Sequence, residues 1–226
     1  MDAALTRTAG PHGPGRPGSA TGPARTGLRR TRLHRTAALL VLLATVAQLA
    51  LGALSDLPQF AGKGFGARLV AYPVLMLLVP AVAAARRARR GRAAPLPWAG
   101  SLLLMLPFLI DVTGNTLDLY DAVAWWDDAN HLVNWCLLSA GVGVLLLPAG
   151  VRPVWALGWL VAGLGALLAI GWELAEWYTF IRHGTELATA YTDTLGDEAL
   201  GSAGAGLAGA LVARAASRRP GAPEQG

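Results

Sequence analysis

The chain has 226 residues, 54% of them hydrophobic and only 15% charged, with a net charge of +5 and a mean hydropathy of +0.43. A soluble domain carries about 25% charged residues, so this balance excludes an ordinary soluble enzyme and points to a membrane protein; the low charge equally excludes wholesale disorder. The single cysteine, Cys136, excludes an internal disulfide framework and multi-cysteine zinc motifs.

Residues 1–35 are rich in Gly, Pro, Thr and Arg and lack apolar periodicity, which predicts a disordered basic tail. Its closing cluster, Arg25, Arg29, Arg30, Arg32 and Arg35, flanks a membrane span. No folded basic domain or interleaved aromatic residues accompany it, so nucleic acid is not an expected partner. Six apolar segments follow, at roughly 37–54, 66–85, 96–114, 129–147, 154–176 and 195–213, each long enough for the ~20 residues that a crossing needs. Pro73 and Pro80 are expected to kink the second. The fold class is therefore all-α, a polytopic membrane helix bundle spanning residues 36–214, with a second cytoplasmic tail over 215–226.

The arginines orient this bundle. With the loops alternating sides, 16 Arg fall on the side of the termini, while Lys63, Arg68 and Arg182 fall on the other. The positive-inside rule then puts both termini in the cytoplasm. Trp98, Trp155 and Trp159 mark the inner interface, and Trp125, Trp126, Trp172 and Trp177 the outer one.

The acids have the opposite bias: all 14 except Asp2 and Glu224 lie at or near the external ends of the spans. Acids contribute little to topology, so a second cause is needed. Four spans carry polar pairs at helical spacing: Asp111 with Asn115, Asp127 with His131, Glu173 with Glu176, and Asp193 with Asp197. At about 1.5 Å rise per residue these pairs lie ~21–33 Å from the cytoplasmic ends of their helices, in the outer third of a ~30 Å core or at its boundary. Four helices agree on one depth, and intramembrane acids face a bundle interior or a wet cavity. Like charges this close need protons or a cation among them. Carboxylates, amide oxygens and one imidazole suit Mg²⁺, Mn²⁺ or Ca²⁺. Asp111, Asn115, Asp127, Asp193 and Asp197 are thus candidate cation ligands, and His131, Glu173 and Glu176 candidate acid–base groups. Asp118, Asp121 and Asp128 read as loop or capping residues, Trp125 and Trp126 as interface anchors, and Cys136 as packing. The small residues Gly201, Gly204, Gly206 and Gly209 in the last span predict close helix approach.

Asp111-Val-Thr-Gly-Asn115, Leu119-Tyr120-Asp121, Trp126-Asp127-Asp128-Ala-Asn130-His131, Trp172-Glu173-Leu-Ala-Glu176 and Tyr191-Thr-Asp193-Thr-Leu-Gly-Asp197 together resemble the YjdF-like family of uncharacterised bacterial inner-membrane proteins. A looser similarity runs to the VanZ-like proteins, linked to resistance against lipid-directed glycopeptides, which also order Asp, His, Glu and Asp on successive spans. The resemblance implies a bacterial plasma membrane location and supplies no reaction. Three functions are compatible with these residues. The first is an outer-leaflet site that binds a divalent cation and acts on a lipid or lipid-linked head group. The second is a cation- or proton-coupled transporter, and the third is a non-catalytic protein that shields a lipid or a drug.

Overall fold

The computed structural model describes residues 23–91, 96–182 and 185–218. Among these the chain is helical and contains no strand. Six helices are long and apolar enough to cross a membrane. They are α1 (Pro23–Leu54), α2 (Phe65–Arg90), α3 (Trp98–Thr116), α5 (Trp126–Leu146), α6 (Val154–Glu176) and α7 (Ala190–Ser217), and a one-turn helix α4 (Leu119–Ala122) lies between α3 and α5. A π turn, Trp177–Ile181, prolongs α6.

The boundaries correct the sequence reading in three places. Helix α1 starts at Pro23, so residues 23–35 of the expected tail are helical. Proline suits a helix start, and the Arg and Leu that follow are good helix formers. Residues 1–22 and 219–226 of the two expected tails lie outside the described residues. Helix α5 begins at Trp126 and α7 at Ala190, each earlier than hydropathy indicates, because both open with polar turns. Asp127 and Asp128 consequently occupy the first turn of α5, and Asp193 that of α7, where acids complement the helix dipole. Helix α2 runs on through Pro73 and Pro80, and α3 likewise contains Pro107.

Packing divides the bundle into two groups that meet at α3 and α5. In the first, Leu49 of α1, Tyr72 and Met76 of α2, and Met105 and Val112 of α3 share one core. In the second, Leu157 and Val161 of α6 pack on Ala208 and Val212 of α7. Large apolar side chains remain exposed around the outside, among them Leu40 and Leu43 on α1, Val70 and Val74 on α2, and Leu167 and Leu174 on α6. That is the pattern of a bundle whose outer face meets lipid rather than water. Trp155 and Trp159 are exposed at one end, as an interfacial belt requires.

Glycine sets how closely α7 approaches its neighbours. A Cβ on Gly204 would collide with the Leu132 carbonyl oxygen of α5, and one on Gly209 with the Gly158 carbonyl oxygen of α6. At Gly201 it would meet the Trp135 ring at 2.9 Å. Gly206 faces open space, so three of the four expected packing glycines act at an interface. The contact at Gly204 is against backbone, which cannot step aside like a side chain. Gly204→Ala should therefore lower the melting temperature in detergent, at a cost of about 1–3 kcal/mol, while Gly206→Ala should leave it unchanged or slightly raised. Equal melting of the two variants would contradict the close packing.

Candidate functional site

The ends of the bundle opposite the Arg86–Arg90 run of α2 enclose a cavity of about 480 Å³. Helices α2, α3, α5, α6 and α7 and the short α4 all contribute to its walls. All eight residues singled out in the sequence line it: Asp111, Asn115, Asp127, His131, Glu173, Glu176, Asp193 and Asp197. The structure divides them between two chemically different walls.

On the first wall Asp111 is saturated. Its Oδ2 accepts from Arg68 Nη1 at 2.8 Å and from the Tyr72 hydroxyl at 2.6 Å. Its Oδ1 accepts from the Tyr120 hydroxyl at 2.9 Å and from Asn115 Nδ2 at 3.2 Å. Asn115 Nδ2 also donates to the Asp111 carbonyl oxygen one turn back. The chain of bonds continues as Asn130 Nδ2 donates to the Tyr120 oxygen and Asn134 Nδ2 to Asn130 Oδ1. Burial, then the negative Asp111, raises the pKa of Tyr120, so its phenol keeps the proton it donates. Asp111 and Asn115 were expected to be cation ligands. Both Asp111 oxygens are instead committed to this network, of which Asp111 is the hub, while Asn115 braces it through its amide nitrogen.

Short helix α4 is pinned from outside. Lys63, in the turn between α1 and α2, donates to both Asp118 and Asp121. Burial pulls the Lys63 pKa down, but these two partners outweigh it and leave it raised, while the hydrogen bond from Lys63 lowers that of Asp121. Lys63 and Asp121 are therefore charged throughout the neutral range. Asp118 and Asp121 thus do more than end a loop: they hold α4 so that Tyr120 reaches into the cavity. Asp118 sits in left-handed backbone, with φ of 61°.

The second wall is unsatisfied. His131 on α5 is surrounded by three carboxylates: Asp127 Oδ1 lies 3.6 Å from its Nε2, and Glu173 Oε1 and Asp197 Oδ1 each lie 3.6 Å from its Nδ1. None of these separations is a hydrogen bond. His131 Nδ1 and Glu173 Oε1 are both buried without a partner, as is Asn134 Oδ1. Glu173 and Asp197 are themselves buried, at 5% and 6% exposure. Asp127, His131 and Asp197 offer ligand atoms all within 4.8 Å of one another, the only such group among the described residues. Glu176 and Asp193 line the cavity outside that group, Glu176 half-buried and Asp193 exposed at the rim.

Sequence reasoning missed Arg68, Tyr72, Tyr120 and Asn130. Arg68 and Tyr72 carry a signal, since they are four apart on α2 and Arg68 is one of only three bases on the acid-rich side. Arg182, another base on that side, lies over the Tyr178 ring at 3.6 Å. Trp125 is exposed as an anchor should be. Trp126, given the same role, turns inward: it packs on Gly114 and edge-on to Tyr120.

Fold and site together define a polytopic helical membrane protein with a polar cavity sunk into one end. Within that class the family can be stated: residues 37–218 match the family described as "Predicted membrane protein (DUF2238)", and the chain belongs to it. YjdF is a member of this family, in keeping with the motif resemblance; the match does not reach the VanZ-like proteins. No curated protein and no solved structure matches significantly.

The two walls predict opposite responses to neutralising one acid. Asp111→Asn leaves the half-buried Arg68 guanidinium without its counter-charge and should cost about 1–3 kcal/mol. Asp197→Asn removes one of several crowded carboxylates and should leave the melting temperature unchanged or higher. Thermal unfolding in detergent compares them, and a larger loss in Asp197→Asn would contradict this division.

Proposed function

We propose that the protein binds a divalent cation through Asp127, His131 and Asp197 and acts there on the polar head group of a membrane lipid. The observation that carries this reading is the group of Asp127, His131 and Asp197, whose ligand atoms lie within 4.8 Å of one another, with the buried, unpartnered His131 Nδ1 held 3.6 Å from Asp197 Oδ1. Direct hydrogen bonds would draw such atoms to about 3 Å. Ligands around one ion, with bonds of about 2.0–2.2 Å, stand roughly 3–4 Å apart. A cation also supplies the positive charge that three carboxylates around one imidazole require. The mixed oxygen and imidazole donors favour Mn²⁺ over Mg²⁺ or Ca²⁺.

When bound, such an ion polarises a phosphoryl or carbonyl oxygen, or lowers the pKa of a water. Glu173, beside His131, and Glu176, on the cavity wall, then supply acid–base function. A lipid is favoured as substrate because the cavity extends to the lipid-facing surface, where Leu75 and Trp172 both line it and remain exposed. The arginine asymmetry supports both termini in the cytoplasm, with the site in the outer leaflet of a bacterial plasma membrane. A coupled transporter finds less support, because the buried positions between the cavity and the other end, such as Met105, Ser139, Val161, Ala205 and Ala208, include no ionisable side chain among the described residues.

Metal analysis of protein dialysed against Mn²⁺ tests the reading. About one ion per chain is expected, lost in His131→Ala and Asp197→Asn and retained in Asp193→Asn. No bound ion, or binding indifferent to the first two variants, would overturn it. With labelled membrane lipids, a product that disappears in Glu173→Gln distinguishes catalysis from shielding of a lipid or drug.

A further inference from the structure

The cavity is graded along the bundle axis, and three helices show the same gradient. On α2, Arg68 lies at the acid-rich end, and Tyr72 and Leu75 follow one and two turns deeper on the same face. On α3, which runs the opposite way, Asp111 is at the end and Phe108 and Pro107 lie deeper. On α5, His131 and Asn134 give way to Trp135 and Leu138. From Arg68 to Leu75 the axial distance is about 10 Å. An occupant that matches these walls is an amphiphile with its charged group at the membrane end and its apolar part pointing to the bilayer centre, where Leu75 opens the cavity to lipid.

The sign of that charged group follows from Arg68. Its side chain is 19% exposed and lines the cavity, and its Nη1 is committed to Asp111. A guanidinium carries five donors in a planar fork, so one edge can hold Asp111 while another faces a ligand. The guanidinium carbon stands 5.8 Å from the centroid of the Tyr72 ring, which helps fix its plane. Forked donors of this kind match phosphate oxygens.

We propose that the lipid is a phosphate-bearing one, and that Arg68 receives its phosphate together with the cation at Asp127, His131 and Asp197. This rests on the cation reading above. The remaining carboxylates repel an anion, so phosphate enters only when the cation is bound. Arg68 thus has two duties: it neutralises Asp111 and it selects an anionic head group.

The test uses the full chain in detergent and three probes: dioctanoyl phosphatidic acid, dioctanoylglycerol and inorganic phosphate, each titrated with and without Mn²⁺. Phosphatidic acid should bind in the presence of Mn²⁺, and the other two about tenfold or more weakly, since each lacks one half of the match. Arg68→Lys keeps a positive charge beside Asp111 but loses the fork, so it should weaken phosphatidic acid binding about tenfold while the Mn²⁺ titration stays as in the wild type. Arg68→Gln in an Asp111→Asn background removes charge and counter-charge together and should show the same pattern. Equal binding of dioctanoylglycerol would overturn the phosphate, and equal binding of inorganic phosphate would overturn the lipid. Undiminished binding in both Arg68 variants, or joint loss of Mn²⁺, would overturn the role of Arg68. Absence of Mn²⁺ from the wild-type protein would instead overturn the underlying cation site.

Discussion

One half-buried carboxylate organises half of this molecule. Asp111 receives Arg68 and Tyr72 from α2, Asn115 from its own helix and Tyr120 from α4. Through Tyr120 and Asn130 the network crosses to α5. A charge inside a bundle is tolerated only when its lone pairs are filled and a counter-charge is close. Meeting that demand fixes the register of four elements at once. It also explains why a one-turn helix is clamped by Lys63: without α4 in place, Tyr120 could not complete the set.

The facing wall is built on the opposite logic. Gly201 and Gly204 let α7 lie directly against α5, within two turns of Asp197 and beside Leu132, the neighbour of His131. Close backbone packing therefore sets the spacing between Asp197 and His131, and it leaves His131 Nδ1 without a hydrogen bond. Satisfied on one side and frustrated on the other, the cavity combines a rigid frame with a site that gains stability when something positive enters it. Stability forgone at a specific cluster, within an otherwise well-paired structure, is how functional sites commonly look.

Much of this was legible in the sequence because the membrane imposes a one-dimensional code. Span number and helical class followed from apolar length, and the shared depth of Asp111, Asp127, Glu173 and Asp197 from helical rise alone. Division of labour among them was not legible, because it depends on which donors reach which carboxylate. Asp111 and Asp197 look alike in sequence, each an acid near the end of a span; only the arrival of Arg68, Tyr72 and Tyr120 distinguishes them. Hydropathy also ended helices too early. Asp127 and Asp193 lie in polar first turns that continue the apolar helices, and the first turn of α1 is likewise polar. Trp126 was misplaced for a related reason: a tryptophan near a span end reads as an interfacial anchor unless a glycine such as Gly114 is seen to make room for it inside.

The central claim is that a divalent cation sits against the imidazole of His131. Electron paramagnetic resonance of the Mn²⁺-loaded protein, with pulsed detection of ¹⁴N couplings, tests it most directly. One bound Mn²⁺ per chain is expected, with the coupling of a directly ligated imidazole nitrogen that is absent in His131→Ala. Stoichiometric Mn²⁺ without a nitrogen coupling, or a coupling that survives in His131→Ala, would contradict it.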